Sequence, residues 1–405
     1  MSQRVVIVGG GQAGFQVAAT LSQRRFEGEI LLISAEAHPP YERPPLSKAF
    51  LKGETEAERL AFRPAGFFEE RGIALRLGTR VAEIDLAASR LRTEDGEAIA
   101  YDSLVLATGA RVRRLPLDGH ELPGILTLRT LEDAAAIRDA LGPGRRLCVV
   151  GGGYIGLEVA AAACALGAEA TVLEAQDRVM TRTASAPIAR ALAALHARHG
   201  VDLRTGVAVE RFREREGRAA GAILADGEEV AADVVVVGIG VVPETGLAEA
   251  AGIACAGGIR VDAIGRTSAE GVYAAGDCAA YGHPLAPRPM VFESVQNAVD
   301  QANAVASGLL GAPKPYEAVP WFWSDQYDAR LQTAGLVAAG DRAVLRGDPE
   351  AGAFSVAHLA QGRLVALETL GRIKDFVQAK KLIADGAAPD PDRLADPEAP
   401  LKSLA

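Results

Sequence analysis

Cysteine is scarce and scattered in this chain of 405 residues, which carries only Cys148, Cys164, Cys255 and Cys278. No two of them form a Cys-x-x-Cys pair or stand at a spacing typical of zinc ligands, so we expect neither a disulfide framework nor a metal site. Long apolar runs are also missing: none could span a membrane, and no secretory leader pattern precedes the first apolar run. We therefore expect a cytoplasmic protein with no membrane attachment.

The chain also lacks net positive charge, since 43 Lys and Arg stand against 52 Asp and Glu and give a formal net charge of -9. An acidic balance of this kind disfavours a nucleic-acid partner. In other respects the composition is that of a folded protein with a large core, with 49% hydrophobic residues. The length predicts two or three domains.

What the sequence does contain is glycine in two matching clusters. Each cluster follows a short, largely β-branched apolar run and precedes an Ala-rich stretch typical of a helix. Each is followed, about twenty residues on, by an acid at the end of a second apolar run. The two sets are Gly9, Gly11 and Gly14 with Glu36, and Gly151, Gly153 and Gly156 with Glu174.

This pattern of strand, glycine turn, helix and strand is the dinucleotide-binding fingerprint. The first glycine permits a tight turn, the second allows the backbone to approach a pyrophosphate, and the third allows close packing of helix on strand. The helix N-terminus then supplies positive dipole to the phosphates. Either copy alone is compatible with an ordinary glycine-rich turn, but two complete copies in one chain favour two dinucleotide sites.

The acid of the second cluster bears on the choice of nicotinamide cofactor. A carboxylate at Glu174 accepts hydrogen bonds from a free 2′-hydroxyl and repels a 2′-phosphate, which favours NADH over NADPH. Arg178 and Arg182 lie nearby in the sequence and would weaken this preference if they faced the ribose. The alternative that we favour is that both are solvated charges.

The composition and hydrophobic pattern of the sequence change from about Val319. Both tryptophans, Trp321 and Trp323, fall here and are followed by alternating strand-like pieces such as residues 354–358. This pattern predicts a separate C-terminal α+β domain. The last stretch, from about Ala387, is rich in Pro and Asp, and we expect it to wrap loosely over the surface.

With these motifs in hand, the chain resembles the FAD-dependent pyridine nucleotide reductases of the glutathione-reductase fold. Within them it is similar to the ferredoxin reductases of bacterial oxygenase systems, of the putidaredoxin reductase type, and the resemblance runs nearly end to end. Beyond the first glycine cluster with Glu36, the segments that carry it are Ala107-Thr108-Gly109, GGGYIGLE at 151–158, TSAEGVYAAGDC at 267–278 and WFWSDQ at 321–326.

The resemblance implies an α/β fold with two Rossmann-type dinucleotide-binding domains and a C-terminal α+β domain. It implies that the FAD domain is discontinuous, with the NADH domain inserted into it. It also implies a monomer or a weak dimer. The expected boundaries are 1–112 and 239–318 for FAD, 113–238 for NADH and 319–405 for the C-terminal reductase domain.

The cofactors that the resemblance implies are FAD and NADH, and its motifs assign contacts residue by residue. Asp277 is expected to bond the ribityl chain, and Trp323 is expected near the exposed flavin edge, where electrons leave; a plain packing role for Trp323 is the alternative. The positions expected at FAD are Gly9, Gly11, Ala13, Gly14, Glu36, Arg43, Lys48, Val81, Ala107, Thr108, Gly109, Arg129, Asp277, Val295 and Trp323. Those expected at NADH are Gly151, Gly153, Tyr154, Ile155, Gly156, Glu158 and Glu174.

The segment 41–48 holds no cysteine, although the disulfide reductases carry their redox-active cysteines in this neighbourhood. Electrons that arrive as hydride must therefore leave from the flavin itself. The resemblance implies that Lys48 and Glu158 approach each other near flavin N5 and the nicotinamide, where the ammonium favours the reduced ring. The alternatives are an exposed helix residue for Glu158 and a phosphate or solvent contact for Lys48.

The partner that the resemblance implies is a 2Fe-2S ferredoxin, docked transiently through positive charge on this chain, that serves a monooxygenase or dioxygenase. One alternative is a different acceptor, namely rubredoxin, a quinone or oxygen. Another is a redox-sensing flavoprotein like apoptosis-inducing factor. The basic residues that could dock a ferredoxin are Arg288, Arg330, Lys374, Lys380 and Lys381.

Overall fold

The computed structural model describes residues 3–64 and 66–404, and its backbone divides into two compact units. Each unit is assembled from three separate stretches of chain. The first comprises Met1–Glu42, Ala61–Arg111 and Val242–Phe322, and the second comprises Arg43–Leu60, Val112–Val241 and Trp323–Ala405.

Helices and strands alternate around the two glycine clusters, and runs of consecutive strands make up much of the rest of the described chain. The helices are α1 (Gln12–Gln23), α2 (Gly66–Glu70), α3 (Leu131–Ala140), α4 (Tyr154–Ala165), α5 (Ala186–Arg198), α6 (Gly246–Ala250), α7 (Val295–Leu309), α8 (Ile373–Ala384) and α9 (Pro391–Ala395). Short 3₁₀ turns cover Pro44–Ser47, Ala57–Leu60, Val337–Ala339 and Leu401–Leu404.

The strands are short, as is usual for a protein built from several sheets. In chain order they are β1 (Gln3–Val8), β2 (Gly28–Ile33), β3 (Ile73–Arg76), β4 (Val81–Asp85), β5 (Arg90–Thr93), β6 (Ala98–Ala100), β7 (Ser103–Leu106), β8 (Ala110–Val112), β9 (Ile125–Leu126), β10 (Arg146–Val150), β11 (Glu169–Glu174), β12 (Asp202–Thr205), β13 (Val209–Arg215), β14 (Arg218–Leu224), β15 (Glu229–Ala231), β16 (Val234–Val237), β17 (Val241–Pro243), β18 (Ile259–Val261), β19 (Val272–Ala274), β20 (Ala279–Tyr281), β21 (Trp321–Gln326), β22 (Ala329–Gly335), β23 (Arg342–Asp348), β24 (Ala353–Ala360) and β25 (Arg363–Leu370).

The first unit is organised around a five-stranded sheet in the order β19-β7-β1-β2-β3, and every pairing in it is parallel. Val5 of β1 pairs with Ile30 of β2 on one side and with Ser103 of β7 on the other. Helices α1 and α7 pack against each other. Both faces of the central strands are buried, which explains why their sequences are continuous apolar runs rather than alternating ones.

The second unit repeats this arrangement around a parallel sheet in the order β12-β11-β10-β16-β9. A three-stranded antiparallel sheet, β13-β14-β15, contributes Phe212 and Leu224 to the same core cluster as Cys148 of β10. Helix α4 packs on β10 and β11. Because the carboxyl ends of parallel strands meet at one edge, the turn after β10 and the acid that ends β11 lie together there.

The C-terminal stretch of the second unit forms a five-stranded sheet in the order β21-β22-β25-β24-β23, with α8 packed on β22 and β25. Leu331 and Phe354 of this sheet belong to the same core cluster as Val149 and Leu157 of the parallel-sheet stretch. The structure thus groups 323–405 with 112–241, whereas the three-domain boundaries stay a prediction. Within residues 3–64 and 66–404, no helix is both long and apolar enough to cross a membrane.

Candidate functional site

The first glycine cluster forms the turn between β1 and α1, and its geometry explains two of the three glycines. Gly9 has φ 121°, and a Cβ at this position would lie 2.0 Å from the Ala107 carbonyl oxygen. A Cβ at Gly14 would lie 1.9 Å from the Gly9 carbonyl oxygen. Neither position tolerates a side chain, because backbone occupies the space.

Gly11, the N-cap of α1, behaves differently. Its backbone is extended, with φ -78°, and a Cβ here would meet no described atom within 4 Å. The N-terminus of α1 has no side-chain cap among the described residues. A glycine that this chain's own packing does not require, next to uncapped backbone N–H groups, fits the close approach of a pyrophosphate.

The second cluster, between β10 and α4, reproduces each of these features. Gly151 has φ 111°, and a Cβ there would lie 2.6 Å from the Gly238 carbonyl oxygen. A Cβ at Gly156 would lie 2.1 Å from the Gly151 carbonyl oxygen. Gly153 is the N-cap of α4, without a side-chain cap, and open space surrounds its Cβ position within the described chain. The residues present therefore fit a second dinucleotide.

Of the two acids predicted to hold ribose hydroxyls, Glu174 is the last residue of β11, and Glu36 lies three residues beyond the end of β2. The Tyr41 hydroxyl donates a 2.5 Å hydrogen bond to Glu36 Oε2. The Glu174 carboxylate accepts backbone N–H bonds from Gly152 at 2.7 Å and from Gln176 at 2.8 Å. These bonds hold the Glu174 carboxylate against the glycine turn as a hydrogen-bond acceptor.

Arg178, which could have weakened the preference for NADH, is engaged within its own loop. Its guanidinium donates to the carbonyl oxygens of Ala184 at 2.8 Å and Thr181 at 3.2 Å. The guanidinium of Arg182 lies near Gly240. The Arg178 guanidinium is thus hydrogen-bonded within its own loop and is not simply a solvated charge.

The late motif of the first unit lies beside the Thr108 segment, because the Ala275 N–H donates to the Leu106 carbonyl oxygen at 3.1 Å. The Thr108 hydroxyl donates to the Glu244 carbonyl oxygen at 2.6 Å, and Gly109 takes φ 70°. Cys278 is fully buried, and burial raises the pKa of its thiol, so it stays protonated as a small apolar residue. Cys278 is thus part of the core of the first unit.

Helix α7 begins at Val295, and two of its buried polar side chains have spare hydrogen-bonding capacity. Gln301 Oε1 accepts from the Gly276 N–H at 2.8 Å, but Gln301 Nε2 and Asn297 Oδ1 have no partner among the described atoms. A buried polar atom left unpaired costs about 1–3 kcal/mol. Polar capacity beside Gly276 and Asp277 fits a hydroxylated ligand chain such as ribityl.

The positions assigned to FAD fall in both units. Arg43, Lys48, Arg129 and Trp323 lie in the second unit, where the Arg43 guanidinium donates to the Arg129 carbonyl oxygen at 2.6 Å. The positions in the first unit are Gly9, Gly11, Ala13, Gly14, Glu36, Val81, Ala107, Thr108, Gly109, Asp277 and Val295. The NADH set, namely Gly151, Gly153, Tyr154, Ile155, Gly156, Glu158 and Glu174, lies wholly in the second unit.

Lys48 and Glu158 form a close ion pair within the second unit. Lys48 Nζ lies 2.6 Å from Glu158 Oε2, and the side chains are 21% and 2% exposed. Glu158 is on α4, the helix that the second glycine cluster opens. The alternative that Glu158 is an exposed helix residue is therefore wrong. A carboxylate this buried requires partners, and Lys48 supplies the charged one.

Two serines complete the surroundings of this carboxylate, and sequence reasoning assigned neither of them a role. The Ser47 hydroxyl donates to Glu158 Oε2 at 2.5 Å, and the Ser324 hydroxyl donates to Oε1 at 2.6 Å. Both stand inside segments already singled out, beside Lys48 and Trp323. The sequence feature that could have pointed to them is a serine directly beside each proposed functional residue.

The basic residues proposed for docking have different surroundings. Arg330 pairs with Asp325 at 2.6 Å and Lys381 with Asp385 at 2.8 Å, so each already has an acidic neighbour. Lys374 is exposed on α8. Which of these charges meets a partner stays a prediction.

Two family profiles together match almost the whole chain. The profile described as pyridine nucleotide-disulphide oxidoreductase matches residues 3–302, and the one described as reductase C-terminal matches residues 321–405. The first covers both glycine clusters and the late motif. The second profile begins at Trp321, close to where the composition and hydrophobic pattern of the sequence change.

Several known proteins are similar over nearly their full length. The 5,5'-dehydrodivanillate O-demethylase ferredoxin reductase subunit of Sphingobium sp. is 47% identical over 401 residues, covering 98% of this chain and 97% of the relative. The solved ferredoxin reductase for the CYP199A2 system from Rhodopseudomonas palustris is 41% identical, with a TM-score of 0.96 and 100% of both chains covered. A chain of the covalent putidaredoxin reductase–putidaredoxin complex is 40% identical, with a TM-score of 0.96 and 99% and 98% covered. The predicted fold class is thereby confirmed.

Proposed function

The chain belongs to the pyridine nucleotide-disulphide oxidoreductase family, and we propose that it is an FAD-dependent NADH:ferredoxin oxidoreductase. The observation that carries the proposal is the pair of complete glycine fingerprints. Each opens a helix without a side-chain cap and leaves open space at the glycine before it. The relatives described above, named as ferredoxin or putidaredoxin reductases, support the same function.

In this proposal FAD is held by the first fingerprint, with its ribityl chain at Asp277 and the polar residues of α7. The nicotinamide dinucleotide is held by the second fingerprint. Glu174 selects NADH, because its fixed carboxylate accepts from a free 2′-hydroxyl and repels a phosphate there.

The chain contributes charge and position rather than a reactive side chain. When bound, the flavin accepts two electrons from NADH and can release them singly, which suits a one-electron iron–sulfur acceptor. Lys48 supplies positive charge that favours the reduced ring, and Glu158 balances that charge and restrains the Lys48 side chain through their 2.6 Å contact. Glu174 and the backbone of the second glycine turn orient the dinucleotide.

The first test is anaerobic reduction of the purified FAD-loaded protein by NADH, followed by cytochrome c reduction with and without a 2Fe-2S ferredoxin. We expect NADH to bleach the flavin rapidly and cytochrome c reduction to depend on the ferredoxin. We also expect the rate with ferredoxin to fall as ionic strength rises, because docking between opposite charges is screened. If NADH bleaches the flavin but added ferredoxin does not increase cytochrome c reduction, ferredoxin is not the acceptor. The two dinucleotide sites would still stand.

A glycine-to-alanine substitution in each fingerprint, which adds one methyl group, tests the two dinucleotide sites. Gly11→Ala is expected to fold normally, since its Cβ has open space, but to bind FAD at least about tenfold more weakly. Gly153→Ala is expected to keep FAD and to raise the KM for NADH about tenfold. Flavin content, thermal melting and steady-state kinetics measure these effects. Gly66→Ala is the matched control, because among the described side chains its Cβ would approach the Glu70 carboxylate, at an ordinary contact distance of 3.7 Å. Unchanged affinities in both fingerprint variants would contradict the assignment.

A further inference from the structure

A continuous chain of hydrogen bonds leads away from Glu158 through the interior of the second unit. Ser324 Oγ lies 2.6 Å from Glu158 Oε1, and Gln326 Nε2 lies 3.2 Å from Ser324 Oγ. Gln326 Oε1 lies 2.8 Å from His196 Nε2, and the Tyr327 hydroxyl lies 3.3 Å from His196 Nδ1. The chain therefore links the carboxylate on α4 to a histidine on α5 by way of two side chains of β21.

With Glu158 paired to Lys48 as a carboxylate, the donors and acceptors of this chain follow one order. A carboxylate only accepts, so the single hydroxyl proton of Ser324 points at Glu158. Ser324 Oγ must then accept from the Gln326 amide nitrogen, which turns the Gln326 carbonyl oxygen towards His196. A carbonyl oxygen only accepts, so His196 carries its proton on Nε2 and accepts from Tyr327 on Nδ1. Every donor in the chain faces Glu158.

Burial reinforces this order. Ser324 and His196 are fully buried, and Gln326 is 1% exposed. Burial lowers the pKa of His196, an effect that the nearby charge of His199 adds to and the Gln326 bond opposes, so the imidazole is neutral and keeps one proton. In a water-excluded interior, aligned hydrogen bonds polarise one another and strengthen.

The titratable groups around the two ends of the chain are few. Glu158 faces Lys48 and, on its own helix, Tyr154, whose pKa is raised mainly by burial. His196 faces His199 and Tyr327, and Tyr327 in turn faces the Cys164 thiol. Burial raises the pKa of both the Tyr327 hydroxyl and the Cys164 thiol. Lys48 is thus the one cation among these neighbours that can pair with the carboxylate.

We propose that Ser324, Gln326 and His196 are positioning residues whose aligned hydrogen bonds hold the Glu158 carboxylate in place and stabilise its negative charge, and hence keep Lys48 in place. Ser324 acts directly on the carboxylate. Gln326 and His196 act through Ser324, each fixing the orientation of the next donor. The inference rests on the proposed function, in which the Lys48–Glu158 pair sets the rate of flavin reduction.

A set of three variants tests this arrangement in the FAD-loaded protein. Ser324→Ala removes the donor to Glu158 Oε1, and Gln326→Leu removes the next link while keeping its size. Ser355→Ala is the matched control, because Ser355 is also a fully buried serine that donates to a carboxylate, Asp375 Oδ2, at 3.0 Å. The rate of flavin reduction by NADH is measured against pH by anaerobic stopped flow.

We expect Ser324→Ala to move the acid limb of the rate profile up by about one pH unit, the worth of one hydrogen bond to a charged group. Gln326→Leu should move it in the same direction by less, and Ser355→Ala should leave it in place. An infrared titration provides a readout that needs no NADH: the protonated carboxyl band that disappears in Glu158→Gln should emerge at higher pH in Ser324→Ala.

The possible failures are distinguishable. If NADH does not reduce the flavin of the unmodified protein, the proposed function is wrong, and the infrared titration still tests the chain. If the flavin is reduced but Ser324→Ala keeps the pH profile and the infrared titration of the unmodified protein, the inference is overturned. Equal shifts in Ser324→Ala and Ser355→Ala would also overturn it, because they would reflect general destabilisation.

Discussion

Replacing Lys48 with methionine is expected to slow the reduction of bound flavin by NADH on the order of 100-fold, the usual loss when a preorganised charge is removed. Methionine keeps the length of the apolar stem, so packing should survive. The loss has two sources. The positive charge that we propose favours the reduced flavin is gone, and the buried Glu158 carboxylate is left without its ammonium partner.

A double-mutant cycle separates these two sources. If the uncompensated carboxylate contributes, Lys48→Met combined with Glu158→Gln should recover part of the rate lost in Lys48→Met alone. The control is Lys52→Met, because Lys52 pairs with Glu54 at 2.7 Å and takes no part in the Glu158 contacts described above. Single-turnover reduction rates and flavin content measure the effect. Reduction of the Lys48→Met protein at the unmodified rate, with FAD bound, would show that the pair does not act in this step.

The dinucleotide fingerprints could be predicted from sequence because their requirements are local. Gly14 is a glycine because the Gly9 carbonyl oxygen lies 1.9 Å from where its Cβ would be, and the turn that imposes this spans only residues 9–14. Gly9 has a local cause in its φ of 121°, to which the distant Ala107 carbonyl adds a second. Gly151 and Gly156 repeat the same constraint. A short motif whose glycines are required by local sterics can therefore be recognised from sequence. The parallel sheet can be predicted with it, because apolar strands flank the motif.

The surroundings of Glu158 could not be predicted in the same way. Ser324 lies 166 positions from Glu158 in sequence, and His196 lies 130 from Gln326. No periodicity or spacing connects such positions, because tertiary folding alone brings them together. Only the Lys48–Glu158 contact was anticipated, and that came from family resemblance rather than from a physical signal in the chain.

The prediction that the chain wraps loosely over the surface from about Ala387 is wrong, and the reason is one residue. Leu394 and Leu401 are completely buried, and the segment's carbonyl oxygens converge on a single guanidinium. Proline and aspartate are typical of mobile tails, but here they shape turns around a donor that lies on β23. That donor is Arg346, which contacts the carbonyl oxygens of Leu394, Asp396, Pro397 and Ala399.

Arg346→Met is expected to lower the free energy of unfolding of the C-terminal stretch by about 3–5 kcal/mol. Arg346 is 1% exposed and pairs with Asp375 at 2.9 Å. Removing it leaves a buried carboxylate with Arg372 as its remaining arginine partner, and it leaves the tail carbonyls without their shared donor. Urea unfolding followed by tryptophan fluorescence measures the change. Arg342→Met is the control, because Arg342 is an exposed arginine on the same strand. Equal urea midpoints for the two variants would contradict the prediction.

The pH dependence of this stability follows from Asp375. Burial raises the pKa of Asp375, but hydrogen bonds from Arg346, Arg372 and Ser355 outweigh burial and hold the pKa below its ordinary value. A depressed pKa in the folded state stabilises the protein above the pKa of the unfolded state, and this stabilisation disappears as pH falls through the folded value. Arg346 is the strongest of the lowering partners, so the folded pKa rises in Arg346→Met and the acid loss of stability begins at higher pH. Urea midpoints measured from neutral to acid pH should therefore start to fall earlier in Arg346→Met than in Arg342→Met, and parallel curves would show that Asp375 does not depend on Arg346.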